Sequence, residues 1–365
     1  MVKVLQFIGG LGFGGAQEFV MNLYRNMNRS SIQFDFAVFA GEGSDYASEI
    51  LLRGGVLYTV PKYTGINHAE FCQWWNRFLE THTEYKVIHG HLMGCAAVYA
   101  WIAKKHGRKV IVHSHAVSFG TGAAAAVKNI MKFPVRYLAD YRFACSKEAA
   151  EFYFGKKPAR IIQNAIDGER FTFSEEKRKA VRKKYGIGDS FVVGNVSRLS
   201  KNKNHMFLLE VFKEVLKKEP GAFLLIAGSG EMEQELKKRV SKLRLDKAVI
   251  FCGAQSDTED YYSAMDVFVL TTLREGLSMV TVEAQTSGLK CVISDQVPDG
   301  ADIKAGLIRK MSLDDNAELW AQAVCEFRQY DRKEHKKELL KSGYDIRTAA
   351  KKMEKFYLKS ACIQT

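Results

Sequence analysis

Two carboxylates, Glu275 and Glu283, stand eight positions apart in a stretch that changes from strand to loop to helix. Val267 to Leu270 is β-branched and aromatic and reads as a strand, which Arg274-Glu275-Gly276 breaks. A helix is expected from about Ser278, with Gly288 as its stop. If most of the interval is helical, the two acids lie roughly 12 Å apart along its axis. Between them fall the N–H groups near Gly276, Leu277 and Ser278, which suit a phosphate. A ligand with hydroxyls at both ends and phosphate in the middle has that outline: a nucleotide-sugar. Taken alone, the pair would be read as one surface glutamate and one helix glutamate. Upstream, Arg198 and Lys203 occupy the loop expected to leave the first strand of the second half. A doubly wound sheet binds ligands at that carboxyl edge. A guanidinium fork and an ammonium there suit a diphosphate and the charge that grows on it as a glycosidic bond breaks. A basic surface loop accounts well for Lys201, less well for the pair.

Near the start, Gly10, Gly12 and Gly15 follow a strand and precede a helix, the arrangement of the dinucleotide fingerprint. The ribose acid should end the second strand. Asp35 instead falls near that strand's beginning and Glu42 beyond its end, so nicotinamide binding is disfavoured. The turn still offers backbone N–H groups to an anion.

The elements that must position these residues alternate. In the first half, strands are expected at 2–8, 34–40, 56–60, 87–88, 110–112, 141–145 and 160–162. Helices are expected at 17–26, 71–81 and 95–104. The chain reads as charged and helical from 167 to 187. The second half then brings strands at 191–196, 223–227, 249–252, 267–270 and 291–294, helices at 205–218 and 231–243, and an amphipathic helix at 346–358. Repeated βα units imply parallel sheets covered by helices, an α/β class. At 365 residues the chain has room for two domains.

Seven scattered cysteines without a C-x-x-C form neither a disulfide framework nor a zinc site, and fit a reducing cytosol. No signal peptide or membrane span is expected, so a soluble, cytoplasmic protein is. The net charge of +13 calls for a partner. No acidic residue falls between Glu84 and Asp140, and Phe119 to Leu138 mixes apolar with basic residues. Two readings stay open for it: an anionic membrane surface, or a solvated face with a core helix. Nucleic acid is not expected, since no recognised binding motif accompanies the charge.

Several motifs together carry a family resemblance: Arg198-Leu199-x-x-x-Lys203, Gly228-Ser229-Gly230, Asp266 to Val269 leading to Glu275-Gly276-Leu277-Ser278, Glu283-Ala284, and Ser287-Gly288. With Gly14-Gly15-Ala16 and Asn164-Ala165-Ile166-Asp167, they resemble glycosyltransferase family 4 over essentially the whole chain. The nearest likeness is to bacterial enzymes of capsular and exopolysaccharide synthesis. The resemblance implies the GT-B fold: two Rossmann-like, doubly wound parallel-sheet domains facing a central cleft. Residues 1–168 would bind the acceptor, with the helix at 346–365 packing back on them, and residues 169–345 would bind the nucleotide-sugar donor.

It also implies roles. Glu275 would hold hydroxyls of the donor hexose, Glu283 the ribose, and Arg198 and Lys203 the diphosphate. Gly276, Leu277 and Ser278 would touch sugar or phosphate through their backbone. Gly14 and Gly15 would close over the phosphates, Gly228 would lie in the donor site, and Gly253 and Ala254 would lie near the base. His113 matches the family's histidine near the sugar and the incoming hydroxyl, with His115 the competing choice; His89 and His91 are read as structural. Thr271 and Asn204 depart from the family's usual proline and glycine. The expected reaction transfers a hexose, from a UDP-sugar above other donors, with retention, to a lipid-linked oligosaccharide or polysaccharide. No cofactor is expected, and no metal, since the chain has no D-x-D sequence. Two alternatives remain: an epimerase of the same architecture, or a non-catalytic sugar-nucleotide or glycan-binding protein.

Overall fold

The computed structural model describes residues 1–12, 14–40 and 45–362, so Glu42 and Phe13 lie outside the described residues. The chain divides into two units, one made of Met1–Ile166 with Asp345–Thr365 and the other of Asp167–Tyr344.

In the first unit the elements run β1 (Val2–Ile8), α1 (Gly15–Asn26), β2 (Ile32–Phe39), α2 (Ala47–Leu52), β3 (Leu57–Val60), α3 (His68–Thr81) and β4 (Val87–Gly90). They continue with α4 (Ala96–Lys105), β5 (Lys109–Ser114), α5 (Ala123–Leu138), β6 (Tyr141–Ala144), α6 (Lys147–Phe154) and β7 (Arg160–Ile161). The strands form one parallel sheet in the order β3-β2-β1-β4-β5-β6-β7. The order reverses between β1 and β4. The apolar side chains of β1 are buried on both faces, as a central parallel strand requires, with Leu5 and Phe7 in one core and Val4 and Ile8 in the other. Asp35 lies buried in β2, where it accepts from the Val56 N–H at 2.8 Å and the Tyr85 hydroxyl at 2.7 Å. It ties neighbouring chain together and is not placed to hold a ribose.

The second unit has α7 (Glu175–Tyr185), β8 (Val192–Val196), α8 (His205–Lys218), β9 (Phe223–Ala227), α9 (Glu233–Leu243), β10 (Val249–Gly253) and α10 (Thr258–Ala264). Then follow β11 (Val267–Leu270), α11 (Met279–Thr286), β12 (Lys290–Ser294), β13 (Ile308–Met311), α12 (Ala317–Cys325) and α13 (Lys336–Ser342). Its parallel sheet has the order β10-β9-β8-β11-β12-β13, reversing between β8 and β11. The helix expected over 167–187 begins only at Glu175. Before it, the Asp167 carboxylate accepts from the Glu169 N–H at 3.0 Å and holds a turn, and Ser174 then caps the helix by accepting from the Lys177 N–H. Glu175 and Glu176 at its start, Arg182 to Lys184 at its end, and Gly186 in the left-handed region complete the helix signals.

The last helix, α14 (Ile346–Cys362), returns to the first unit. Ile346, Ala350, Met353 and Tyr357 share its buried face with residues of α1, β1 and β2. No helix among the described residues is long and apolar enough to cross a membrane.

Candidate active site

Because every pairing in the second sheet is parallel, the loops that leave β8, β9, β10 and β11 emerge on one edge. The loops after β8 and β11 flank the point where the strand order reverses, which is where such sheets bind ligands. Backbone and side chain join these two loops. The Leu273 N–H donates to Asn202 O at 2.8 Å, Asn202 Nδ2 to Arg274 O at 2.6 Å, and the Thr271 hydroxyl to Asn204 O at 3.0 Å. Lys203 thereby comes to Glu275, and the two form an ion pair with little exposed surface.

The departures at Asn204 and Thr271 have local reasons. Asn204 sits in the left-handed region at φ 52° and ψ 42°, which asparagine tolerates better than most residues, so the turn survives without glycine. Thr271 uses its hydroxyl to hold the β8 loop.

Arg198 is placed differently from Lys203. Its side chain is 76% exposed and pairs with Glu231 at 3.4 Å, so it shares the edge without sharing the Lys203–Glu275 contact. What fixes its loop is the Gly228-Ser229-Gly230 turn. Gly228 has φ 148°, and a Cβ there would meet Ser197 O at 1.9 Å; one on Gly230 would meet Leu199 O at 2.4 Å. The Gly228 N–H donates to Gly253 O at 2.8 Å, so the loops after β9 and β10 are held side by side, with Ala254 exposed next to them.

Glu283 lies in the middle of α11, and its carboxylate accepts from the Tyr262 hydroxyl at 2.8 Å. Only the second half of the Glu275-to-Glu283 interval is helical, because α11 starts at Met279. Ser278 is buried beside Thr281, while Gly276 has open space around its Cα. The sequence reading missed Asn202 and Tyr262, which position Lys203, Glu275 and Glu283. A polar residue in a loop and one of two adjacent tyrosines in a short helix give no signal of such a role.

In the first unit, Gly14 caps α1 with extended backbone and Gly15 opens the helix with free space where a Cβ would project. His113 lies near the carboxyl end of β5 and His115 just beyond it, beside His89 on the neighbouring β4 and His91 just after that strand. The four rings pack together. His89 Nε2 lies 3.3 Å from His113 Nδ1, and His91 Nδ1 lies 2.8 Å from His115 Nε2. His89 Nδ1 reaches the Tyr357 hydroxyl at 2.6 Å, and His91 Nε2 reaches Gln6 Oε1 at 3.0 Å. Burial, with the neighbouring rings adding to it, holds His89, His91 and His113 well below the ordinary histidine pKa, and burial takes His115 down to about 3. All four are neutral at physiological pH. One nitrogen each from His89, His91 and His113 lies within 4.8 Å of the others, a spacing open to a metal ion. Both nitrogens of His89 and of His91 already have hydrogen-bond partners in the protein, which a metal would have to displace.

Comparison with known proteins agrees with the fold and the order of these motifs. The family model described as glycosyl transferases group 1 matches residues 177–356, and that of glycosyltransferase family 4 matches residues 13–170. EpsF of Bacillus subtilis, a protein named as a glycosyltransferase, is 31% identical over 356 residues, covering 94% of this chain and 93% of EpsF. This chain belongs to the group 1 glycosyltransferases. An Escherichia coli relative, UDP-Gal:α-D-GlcNAc-diphosphoundecaprenol α-1,3-galactosyltransferase, is 28% identical over 225 residues, or 58% of each chain. Among solved structures, Anabaena HepE in complex with UDP-glucose superposes with a TM-score of 0.74 at 16% identity, over 99% of this chain and 98% of HepE. WaaG, a glycosyltransferase of lipopolysaccharide biosynthesis, gives 0.68 at 14% identity over 98% of each. These structural likenesses establish the GT-B fold.

Proposed function

We propose that this glycosyltransferase moves a hexose from a UDP-sugar to a lipid-linked or polysaccharide acceptor, with retention of anomeric configuration, in surface glycan synthesis. The Lys203–Glu275 pair beside the reversal point of the second sheet carries the reading. A cation and an acid that neutralise each other without ligand can part for a ligand that needs both. Lys203 and the more exposed Arg198 then meet the diphosphate, Glu275 the hexose hydroxyls and Glu283 the ribose. The bond from the anomeric carbon to the phosphate oxygen breaks as these cations and the N–H groups of Gly276 to Ser278 take up its charge. The acceptor oxygen attacks from the same face and gives its proton to the departing phosphate oxygen. The protein supplies its own cations for the leaving group, so the scheme needs no metal. The names of the E. coli relative and of the HepE complex support uridine as the base.

The acceptor reading extends to a membrane surface. Of α5 only Ala125 and Val135 are buried, so it is not a core helix. Val127, Ile130, Phe133 and Tyr137 are exposed, as is Trp101 on α4. Lys105 lies 5.0 Å from the Trp101 ring, Arg136 5.1 Å from Phe133 and Lys157 4.7 Å from Tyr137. Exposed apolar side chains interleaved with cations suit an anionic leaflet, each cation adding about 1 kcal/mol close to the surface. These features support a working position at the cytoplasmic face of the membrane.

The test is a panel of nucleotide-sugars screened by thermal shift, followed by transfer to undecaprenyl-linked acceptors and NMR of the product's anomeric proton. An α-linked product from an α-linked UDP-sugar is expected. An inverted product, or an epimerised sugar formed without acceptor, would refute the scheme.

A further inference from the structure

Four of the first unit's histidines, His89, His91, His113 and His115, form two hydrogen-bonded rows, and each row has a different anchor. One runs Tyr357, His89, His113, and the other Gln6, His91, His115. A neutral imidazole carries one proton, so fixing one nitrogen of a row fixes every nitrogen after it.

Gln6 Oε1 can only accept, so His91 carries its proton on Nε2 and offers a bare Nδ1. His115 must then donate from Nε2, which leaves its own Nδ1 as a lone pair. That atom is buried and has no hydrogen-bond partner among the described residues.

In the other row the buried Tyr357 hydroxyl reaches His89 Nδ1 at 2.6 Å, and a phenol O–H held in a buried site gives its proton to the acceptor within reach. His89 Nδ1 is left to take the phenol proton. His89 then donates from Nε2 to His113 Nδ1, and His113 ends the row with an Nε2–H that is likewise buried and unpartnered. Apolar rings cover their edges: Phe19 meets His113 at 5.0 Å and Phe143 meets His89 at 5.7 Å, both edge-on. The free ends of the rows are neighbours, since the His113 and His115 ring centroids are 4.1 Å apart.

We propose that Gln6 and Tyr357 are positioning residues that hold all four histidines as the Nε2–H tautomer. The protein thereby presents one N–H donor, on His113, beside one lone pair, on His115. A hydroxyl, which both donates and accepts, is the group such a pair takes. Two buried polar atoms without partners are costly until a ligand satisfies them, which gives a polyol a reason to dock there. The assignment of a sugar hydroxyl to this pair rests on the proposed transfer reaction. The tautomers do not.

The experiment is long-range 1H–15N correlation spectroscopy of the full-length, histidine-labelled protein. In the wild type, His89, His91, His113 and His115, four of the nine histidines, are expected as Nε2–H rings. In Gln6→Met the His91 row loses the acceptor that selects one proton order, so His91 and His115 become mixtures of the two tautomers while His89 and His113 stay. Tyr357→Phe, which removes the proton that pins His89, is expected to give mixed tautomers at His89 and His113 only. Transfer in Gln6→Met should fall at least about tenfold in kcat/KM for the acceptor, the weight of one hydrogen bond, with donor affinity unchanged. A wild-type His115 protonated on Nδ1, or unchanged tautomers in Gln6→Met, overturns the proposal. So does stoichiometric Zn2+ shifting three of the rings together, which would make the cluster a metal site. If Gln6→Met does not fold, the wild-type tautomers alone decide. Mixed tautomers at His91 and His115 with undiminished transfer would confirm the role of Gln6 and sink the placing of sugar at these rings.

Discussion

Acidification from pH 7.5 to 5 should weaken the first unit more steeply than its carboxylates explain. An unfolded histidine titrates near 6.5, whereas His89, His91 and His113 are held far lower and His115 at about 3. These folded-state values are depressed, so between the two the unfolded chain binds more protons and stability falls as pH falls. Above about pH 6.5 the contribution is fully present. At pH 5 each ring that stays neutral in the fold forfeits about 2 kcal/mol, from RT ln(1 + 10^1.5). His89 and His113 alone would therefore remove about 4 kcal/mol, out of a total stability on the order of 5–15 kcal/mol. The rings interact, so all four together remove less than four times the single value. Glu49, whose pKa its hydrogen bond to Arg25 lowers against the opposing effect of burial, gives up its contribution only as pH drops below the ordinary carboxylate range, so the two effects separate. The assay is urea unfolding at half-unit pH steps, with the slope of free energy against pH read as protons taken up. An uptake of more than one proton near pH 5.5 is expected, reduced in His89→Gln. A flat profile between pH 5 and 7.5 would refute the neutral, buried assignment.

Lys203→Met and Glu275→Gln should each lower kcat/KM by about 10²–10³, with unchanged unfolding curves, because each removes a group aimed at the reacting sugar phosphate; wild-type rates in either would refute these roles. Gly228→Ala should destabilise the second unit and disorder the Arg198 loop, since its Cβ would sit 1.9 Å from Ser197 O at a φ of 148°; thermal melting and UDP affinity both read this. Replacing Ile130 and Phe133 by serine should reduce co-sedimentation with vesicles containing phosphatidylglycerol at least tenfold, while transfer to a soluble acceptor analogue continues. Binding that ignores both the substitutions and 0.5 M salt would count against α5 as the membrane face.

The sequence revealed the central strands best, because strands buried on both faces are nearly continuous apolar runs: β9 and β11 fall at their expected bounds. β13 was missed. Ile308-Arg309-Lys310-Met311 is an edge strand whose charges guard an exposed rim, so it carries no apolar run to detect. Lys203 and Glu275 were legible as chemistry, but their contact was not, since it depends on Asn202 joining two loops about 70 residues apart in the chain. The histidines could be counted in advance. Their pairing could not, because Tyr357 approaches from the far end of the chain.

That approach has a consequence for how the molecule is made. Ile346, Ala350, Met353 and Tyr357 complete a core whose other residues are synthesised first. On the ribosome, the amino-terminal sheet must wait with one flank bare until the final residues emerge, by which time the intervening unit has had the chance to fold. A gene fragment ending near residue 166 would keep that flank permanently uncovered and aggregation-prone. A version rearranged so that 345–362 precedes residue 1 would let the sheet close early.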